Sequence, residues 1–169
     1  MAQFLIFNGP MPTTAALASV TTGTSIKTLL QFKASATLVA KIKEWGISFD
    51  GAADAAKIKV ELIETDVAAT VTASVANDLV KLDADALACG DPTTNLIQVG
   101  TAATGYTSTS EGSITATRPF DLQLVSPAGG YFKQFPLGDE PRIQVAKFAR
   151  IRVHAPAAVN AYCWMRVEV

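Results

Sequence analysis

A chain of 169 residues that is 49% hydrophobic and 17% charged, with 14 basic against 15 acidic side chains, holds enough apolar material for one domain with its own core. It lacks the polarity and like charge of a disordered chain, and also the basic excess with which a general nucleic-acid binder displaces phosphate counterions. Its wholly apolar runs, such as Phe4-Leu5-Ile6-Phe7, fall far short of the ~20 residues of a membrane helix, so neither nucleic acid nor membrane is expected as a partner.

The opening Met-Ala-Gln-Phe-Leu-Ile-Phe-Asn-Gly-Pro has no basic stretch and no long apolar core of a secretory signal, so synthesis in a cytoplasm is expected. The first charged side chain is Lys27. Within this uncharged segment, Pro10 and Pro12 remove two ladder donors and impose extended or turn backbone. Residues 1–25 therefore read as a first strand or as an extended arm. The arm is preferred, because an uncharged, non-helical terminus gains most from being covered; Phe4, Leu5, Ile6, Phe7, Pro10 and Pro12 would then lie on a partner. Residues 26–169 read as a single β-sandwich domain.

From Lys27 onward the apolar pattern has period two. Residues 25–33 place Ile26, Leu30 and Phe32 on one parity. In residues 38–49 the apolar parity flips, from Leu38, Ala40 and Ile42 to Trp45, Ile47 and Phe49, which predicts a bulge or bend near residues 44–46. Residues 57–62 alternate Ile58, Val60 and Leu62 against Lys57, Lys59 and Glu61, the mark of a half-buried strand.

Only residues 50–57 and 75–88 have room for a helical turn. Residues 113–125 predict a strand with Ile114, Ala116, Phe120, Leu122 and Leu124 on one parity and Pro119 marking an edge or a bend. Residues 148–154 alternate Ala149, Ile151 and Val153 against Arg150, Arg152 and His154. The aromatic and β-branched run 161–169 predicts a central strand. Strands separated by Gly, Pro, Asn and Asp clusters, without helix-strand alternation, predict an all-β fold: an antiparallel β-sandwich, jelly-roll-like, with an extended N-terminal arm.

Few constellations carry chemistry. His154 is the one histidine, and Cys89 and Cys163 are the only cysteines, too few for a disulfide framework and not spaced as metal ligands. Ser108 and Ser110 lie in no nucleophile elbow, and no glycine-rich run precedes Lys-Ser or Lys-Thr. Asp83-Ala84-Asp85 fails the calcium-loop pattern at its third ligand, so Asp78, Asp83, Asp85 and Asp91 read as a solvated acidic stretch. No metal, cofactor, small-molecule substrate or enzymatic activity is expected. Arg150 and Arg152 share a strand face and suit a rim of ion pairs to a partner, which in a homo-oligomer the 78–91 segment would supply.

Several phrases resemble a known family: Gly100-Thr101-Ala102-Ala103-Thr104-Gly105-Tyr106-Thr107, Glu111-Gly112-Ser113-Ile114-Thr115-Ala116-Thr117-Arg118, Phe135-Pro136-Leu137-Gly138, and Phe148-Ala149-Arg150-Ile151-Arg152-Val153-His154-Ala155-Pro156. Over residues 37–169 the chain resembles the decoration or cement proteins of tailed-bacteriophage heads. The resemblance implies a sandwich, commonly a trimer, that binds the major capsid protein on the outside of an icosahedral shell and strengthens it. A surface rich in eighteen Thr and twenty-eight Ala suits close packing against such a neighbour. The competing readings are a carbohydrate-binding sandwich, with Trp45, Tyr106, Tyr131 and Trp164 as its aromatic candidates, and a self-assembling tail-tube subunit. Of those rings, Trp45 and Trp164 are expected in the core and Tyr106 and Tyr131 in loops.

Overall fold

The computed structural model describes residues 2–82 and 96–169. Two antiparallel sheets pack face to face. The first runs in the order β10 (Gly130–Gln134), β4 (Ala40–Phe49), β13 (Asn160–Glu168), β1 (Gln3–Phe7) and β7 (Leu79–Lys81), with the short β2 (Val20–Thr21) on β13 and β11 (Arg142–Ile143) on β4. The second runs β6 (Thr70–Ala73), β8 (Gly105–Ser110), β3 (Lys27–Lys33), β12 (Phe148–His154), β5 (Ile58–Thr65) and β9 (Thr117–Val125). The chain crosses between sheets at most connections, and a short turn ties β9, at one edge of the second sheet, to β10, at the edge of the first.

Local alternation explains most of these strands. Ile58, Val60 and Leu62 of β5 and Ala149, Ile151 and Val153 of β12 all point into the core between the sheets. The parity flip in β4 is a bulge: opposite β13 the register steps from Arg166↔Glu44 to Val167↔Ile42, which leaves Lys43 as the extra residue. Ile42 is thereby buried on one side of the bulge and Trp45 on the other. The bend lies one residue before the stretch expected for it, because the register adjusts at Lys43, whose ammonium reaches Glu140 at 2.5 Å. β13 is central, flanked by β4 and β1.

One expectation about the strands is corrected. β9 carries the opposite parity: Leu122 and Leu124 are 58% and 62% exposed, whereas Asp121 and Val125 are buried. Asp121 is tolerated inside because Tyr131 Oη and Gln123 Nε2 donate to its carboxylate at 3.0 and 2.7 Å, and Lys133 lies 3.4 Å away. At the edge of the sandwich, this polar cluster takes the inward side in place of the leucines. Helical structure among the described residues is a single 3₁₀ turn, Ala76–Asp78; residues 50–57 form turns, and 83–88 lie outside the described residues.

Candidate functional site

The N-terminal segment divides into two parts with different fates. Residues 3–7 are not an arm. β1 pairs along its length with β13, from Gln3↔Glu168 to Phe7↔Trp164, and on its other side with β7. Phe4 and Ile6 are therefore core residues, and only Leu5 and Phe7 face outward, half-buried. An apolar strand with free edges on both sides is stabilised more by entering the sheet, where its backbone groups are paired and every second side chain is buried, than by waiting for a partner.

Asn8 locks the end of this strand. Its side chain donates to Ala161 O and accepts from Cys163 N–H, both at 3.0 Å, while its own N–H donates to Cys163 O. Residues 10–19 then form an exposed, uncharged loop carrying Pro10 and Pro12. Between two prolines that lack N–H groups, Met11 supplies the one donor, which Asp78 accepts at 2.8 Å. Farther along, Tyr162 Oη donates to Leu17 O at 2.7 Å, and β2 returns the chain to β13.

Arg150 and Arg152 part company in the same way. Arg150 is fully buried on the outer face of the second sheet, beneath the turns at residues 66–69 and 111–112. Its guanidinium donates to Val67 O, to Glu111 O at 3.1 Å and to Glu111 Oε2 at 3.2 Å. Glu111 also accepts from Thr28 N–H and Oγ1 and from Ser108 Oγ, at 2.6 to 2.7 Å. Nearby, Gln31 bridges Ala103 O and the Ala69 N–H. Arg150 is thus a structural pin, and the expectation that it faces a partner is corrected: loops folded over the centre of the sheet bury what alternation alone places outside. Arg152 stays partly exposed but pairs within the chain, 2.6 Å from Glu61. Asp78, one of the acids expected to answer these arginines across an interface, spends its two oxygens on Met11 and Val75 N–H groups; Asp83, Asp85, Asp91 and Cys89 lie outside the described residues.

Besides the exposed leucines of β9, two further exposed surfaces stand out among the described residues, and alternation did not single out either. One is an aliphatic end. Leu38, Val39, Leu137 and Val145 are 44%, 49%, 91% and 42% exposed, on the loops between β3 and β4, β10 and β11, and β11 and β12. These loops adjoin: Ala34 N–H donates to Lys147 O, Ala146 N–H to Ser35 O, and β11 pairs with the start of β4. The signal available in sequence was an apolar residue inside turn chemistry, as in Pro136-Leu137-Gly138, where Gly138 takes the left-handed φ of 99°.

The other surface is an aromatic row across the outer face of the first sheet. Phe7, Trp164, Gly46 and Phe132 are successive cross-strand partners on β1, β13, β4 and β10. Trp164 and Phe132 meet over the glycine with ring centroids 5.8 Å apart and planes inclined by 32°. Trp164 is therefore not the core residue expected from its dense strand, in contrast to Trp45, which is fully buried. Tyr131 and Tyr106 belong to β10 and β8 instead of loops, and Tyr131 packs on Trp45 at 5.3 Å.

Several titratable groups are held by their surroundings. Hydrogen bonds from Thr115 Oγ1 and the Ala116 N–H hold Asp66 down to about 2, and Lys43 holds Glu140 down to about 2. Burial, with the hydrogen bond to Asp121, pushes Tyr131 up to about 12. The Cys163 thiol is wholly buried and pushed well up, which makes it unreactive. Among the described residues no three His, Cys, Asp or Glu side chains converge as metal ligands, and no helix is long and apolar enough to cross a membrane. Comparison with known protein families, with curated proteins and with solved structures finds no match.

Proposed function

We propose that the protein is a structural virion component: a decoration, or cement, protein that binds the major capsid protein on the outside of an icosahedral phage shell, as a homo-oligomer, and stabilises the shell. The observation that carries this reading is the aliphatic end. Four large aliphatic side chains are exposed on three loops that adjoin at one end of the sandwich, and a concentration of exposed apolar residues at one end favours docking on another protein, whereas single scattered ones are ordinary. The uncharged loop 10–19 at the far end of the first sheet offers a second contact, pinned so that little entropy is lost on docking. A molecule with a contact at each end is suited to bridging neighbouring subunits, and each bridge strengthens the shell because it binds the assembled form more tightly than the free parts.

The test is co-sedimentation of the purified protein with empty phage shells, alongside light scattering for its mass in solution. Saturable binding is expected. Leu137→Asp removes a side chain whose burial contributes ~1.5–3 kcal/mol, so affinity per contact should fall about 10-fold or more. Replacing residues 12–16 with a Gly-Ser segment tests the second contact while keeping the Met11 and Leu17 anchors. Undiminished binding by both variants, or no binding by the parent protein, overturns the proposal, and rings or tubes in solution would identify a self-assembling tail component instead.

A further inference from the structure

We propose that the aromatic row on the outer face of the first sheet is a binding site for a neutral sugar chain. It shares no residue with the aliphatic end and does not depend on the docking reading.

The row is built from four separate parts of the chain. Gly46 is its key element, since a Cβ there would come within 2.9–3.1 Å of Nε1, Cε2 and Cζ2 of Trp164. Only glycine lets the indole lie across β4 and reach Phe132, itself 58% exposed. A shallow cleft of about 290 Å³ opens there, lined by Gly46, Ser48, Gly130, Phe132 and Trp164 among others. Polar side chains lie in the rows on either side of the aromatic one, beside Leu5 in one row and Gly130 in the other. On one side, Tyr162, Ser48 and Gly130 are cross-strand partners; on the other, Arg166, Glu44 and Gln134. Arg166 and Glu44 lie 3.6 Å apart, so their charges offset each other.

The dimensions of the row decide between occupants. Four strands at ~4.8 Å spacing make it ~14 Å long, and the two-residue repeat sets the flanking rows ~6.8 Å to either side. That is on the order of 100 Å² of apolar footprint, far below the ~800 Å² per partner of a stable protein interface. A pyranose ring matches it: its C–H face is weakly apolar and carries slight positive charge, which settles on the negative face of an aromatic ring, while its rim of hydroxyls seeks hydrogen bonds at the edges. Ser48 and Gln134, both exposed, and the paired Glu44 and Arg166 supply donors and acceptors there. The offset charges favour a neutral chain over an anionic one.

The experiment is calorimetric and fluorescence titration of the full chain with hexasaccharides of β-1,4-glucose, α-1,4-glucose, β-1,4-mannose and β-1,4-N-acetylglucosamine. At least one should bind and change the emission of Trp164, which is half-buried where Trp45 is fully buried. Phe132→Ala, a substitution at an exposed site, should weaken that binding at least 10-fold, and Trp164→Ala should abolish it, with melting curves confirming that both variants fold. Leu137→Asp should bind sugar unchanged. Absence of binding across the panel, or equal binding by Phe132→Ala, overturns the proposal. So does loss of shell binding in the two aromatic variants without any sugar binding, which would make the row a protein contact.

Discussion

Replacing Arg150 and Arg152 separately by Ala distinguishes a structural pin from a surface ion pair on the same strand. Arg150→Ala removes a fully buried guanidinium and strands its acceptors, Val67 O and Glu111 O, while Glu111 loses its counter-charge. Breaking a buried ion pair from one side costs ~3–5 kcal/mol. Because the Glu111 side chain keeps 21% exposure and its bonds to Thr28 and Ser108, the low end applies, about 3 kcal/mol. For a chain of this size that lowers the melting temperature by ~6–12 °C and removes a large share of a total stability of ~5–15 kcal/mol.

Arg152→Ala breaks a pair whose side chains are 19% and 32% exposed, for which ~0–1 kcal/mol is expected. Urea unfolding followed by tryptophan fluorescence, with circular dichroism as a second probe, measures both. Repeating it in ~1 M salt, where the screening length is about 3 Å, should erase the Arg152 effect and leave most of that of Arg150. Equal losses in the two variants, or a loss below ~1 kcal/mol for Arg150→Ala, would refute the assignment of Arg150 as a pin.

The two parts of the N-terminal segment should respond differently. Ile6→Ala opens a cavity beneath β1 and should cost ~2–5 kcal/mol by urea unfolding, whereas the Gly-Ser replacement of residues 12–16 should stay within ~1 kcal/mol of the parent; a mild Ile6→Ala would mean that β1 is not part of the core. Acid unfolding should reflect Asp66 and Glu140, whose folded values of about 2 lie below their ordinary 3.8 and 4.5. A carboxylate depressed on folding adds stability that is complete above its unfolded value and is lost as pH falls through its folded one. Stability should therefore decline from near pH 4.5 down to about 2, and Glu140→Gln should flatten that slope.

Alternation is a property of the strand backbone, so on several strands with one face in the core the residues named that face. Ile58, Val60 and Leu62 in β5, Ala149, Ile151 and Val153 in β12, and the parity flip in β4 all place the core correctly from spacing alone. The same rule failed on β9, where a buried Asp121 took the inward side, and on Arg150, where loops covered the outer one. Neither covering loop nor edge position leaves a mark on the strand itself. The N-terminal segment was legible as uncharged and interrupted by prolines, but its place between β13 and β7 was not.

What the amino-acid sequence determined by itself was therefore local: the period of strands such as β5 and β12 and the parity flip in β4. The tertiary structure decided everything that depends on neighbours. Phe7, Gly46, Phe132 and Trp164 come from four strands and make one row only after those strands pair in register. Leu38, Val39, Leu137 and Val145 become one end only because three loops adjoin. Side-chain direction follows from the backbone within a few residues, whereas burial and proximity follow from contacts between segments far apart in the chain, and these are set by the packing of the whole.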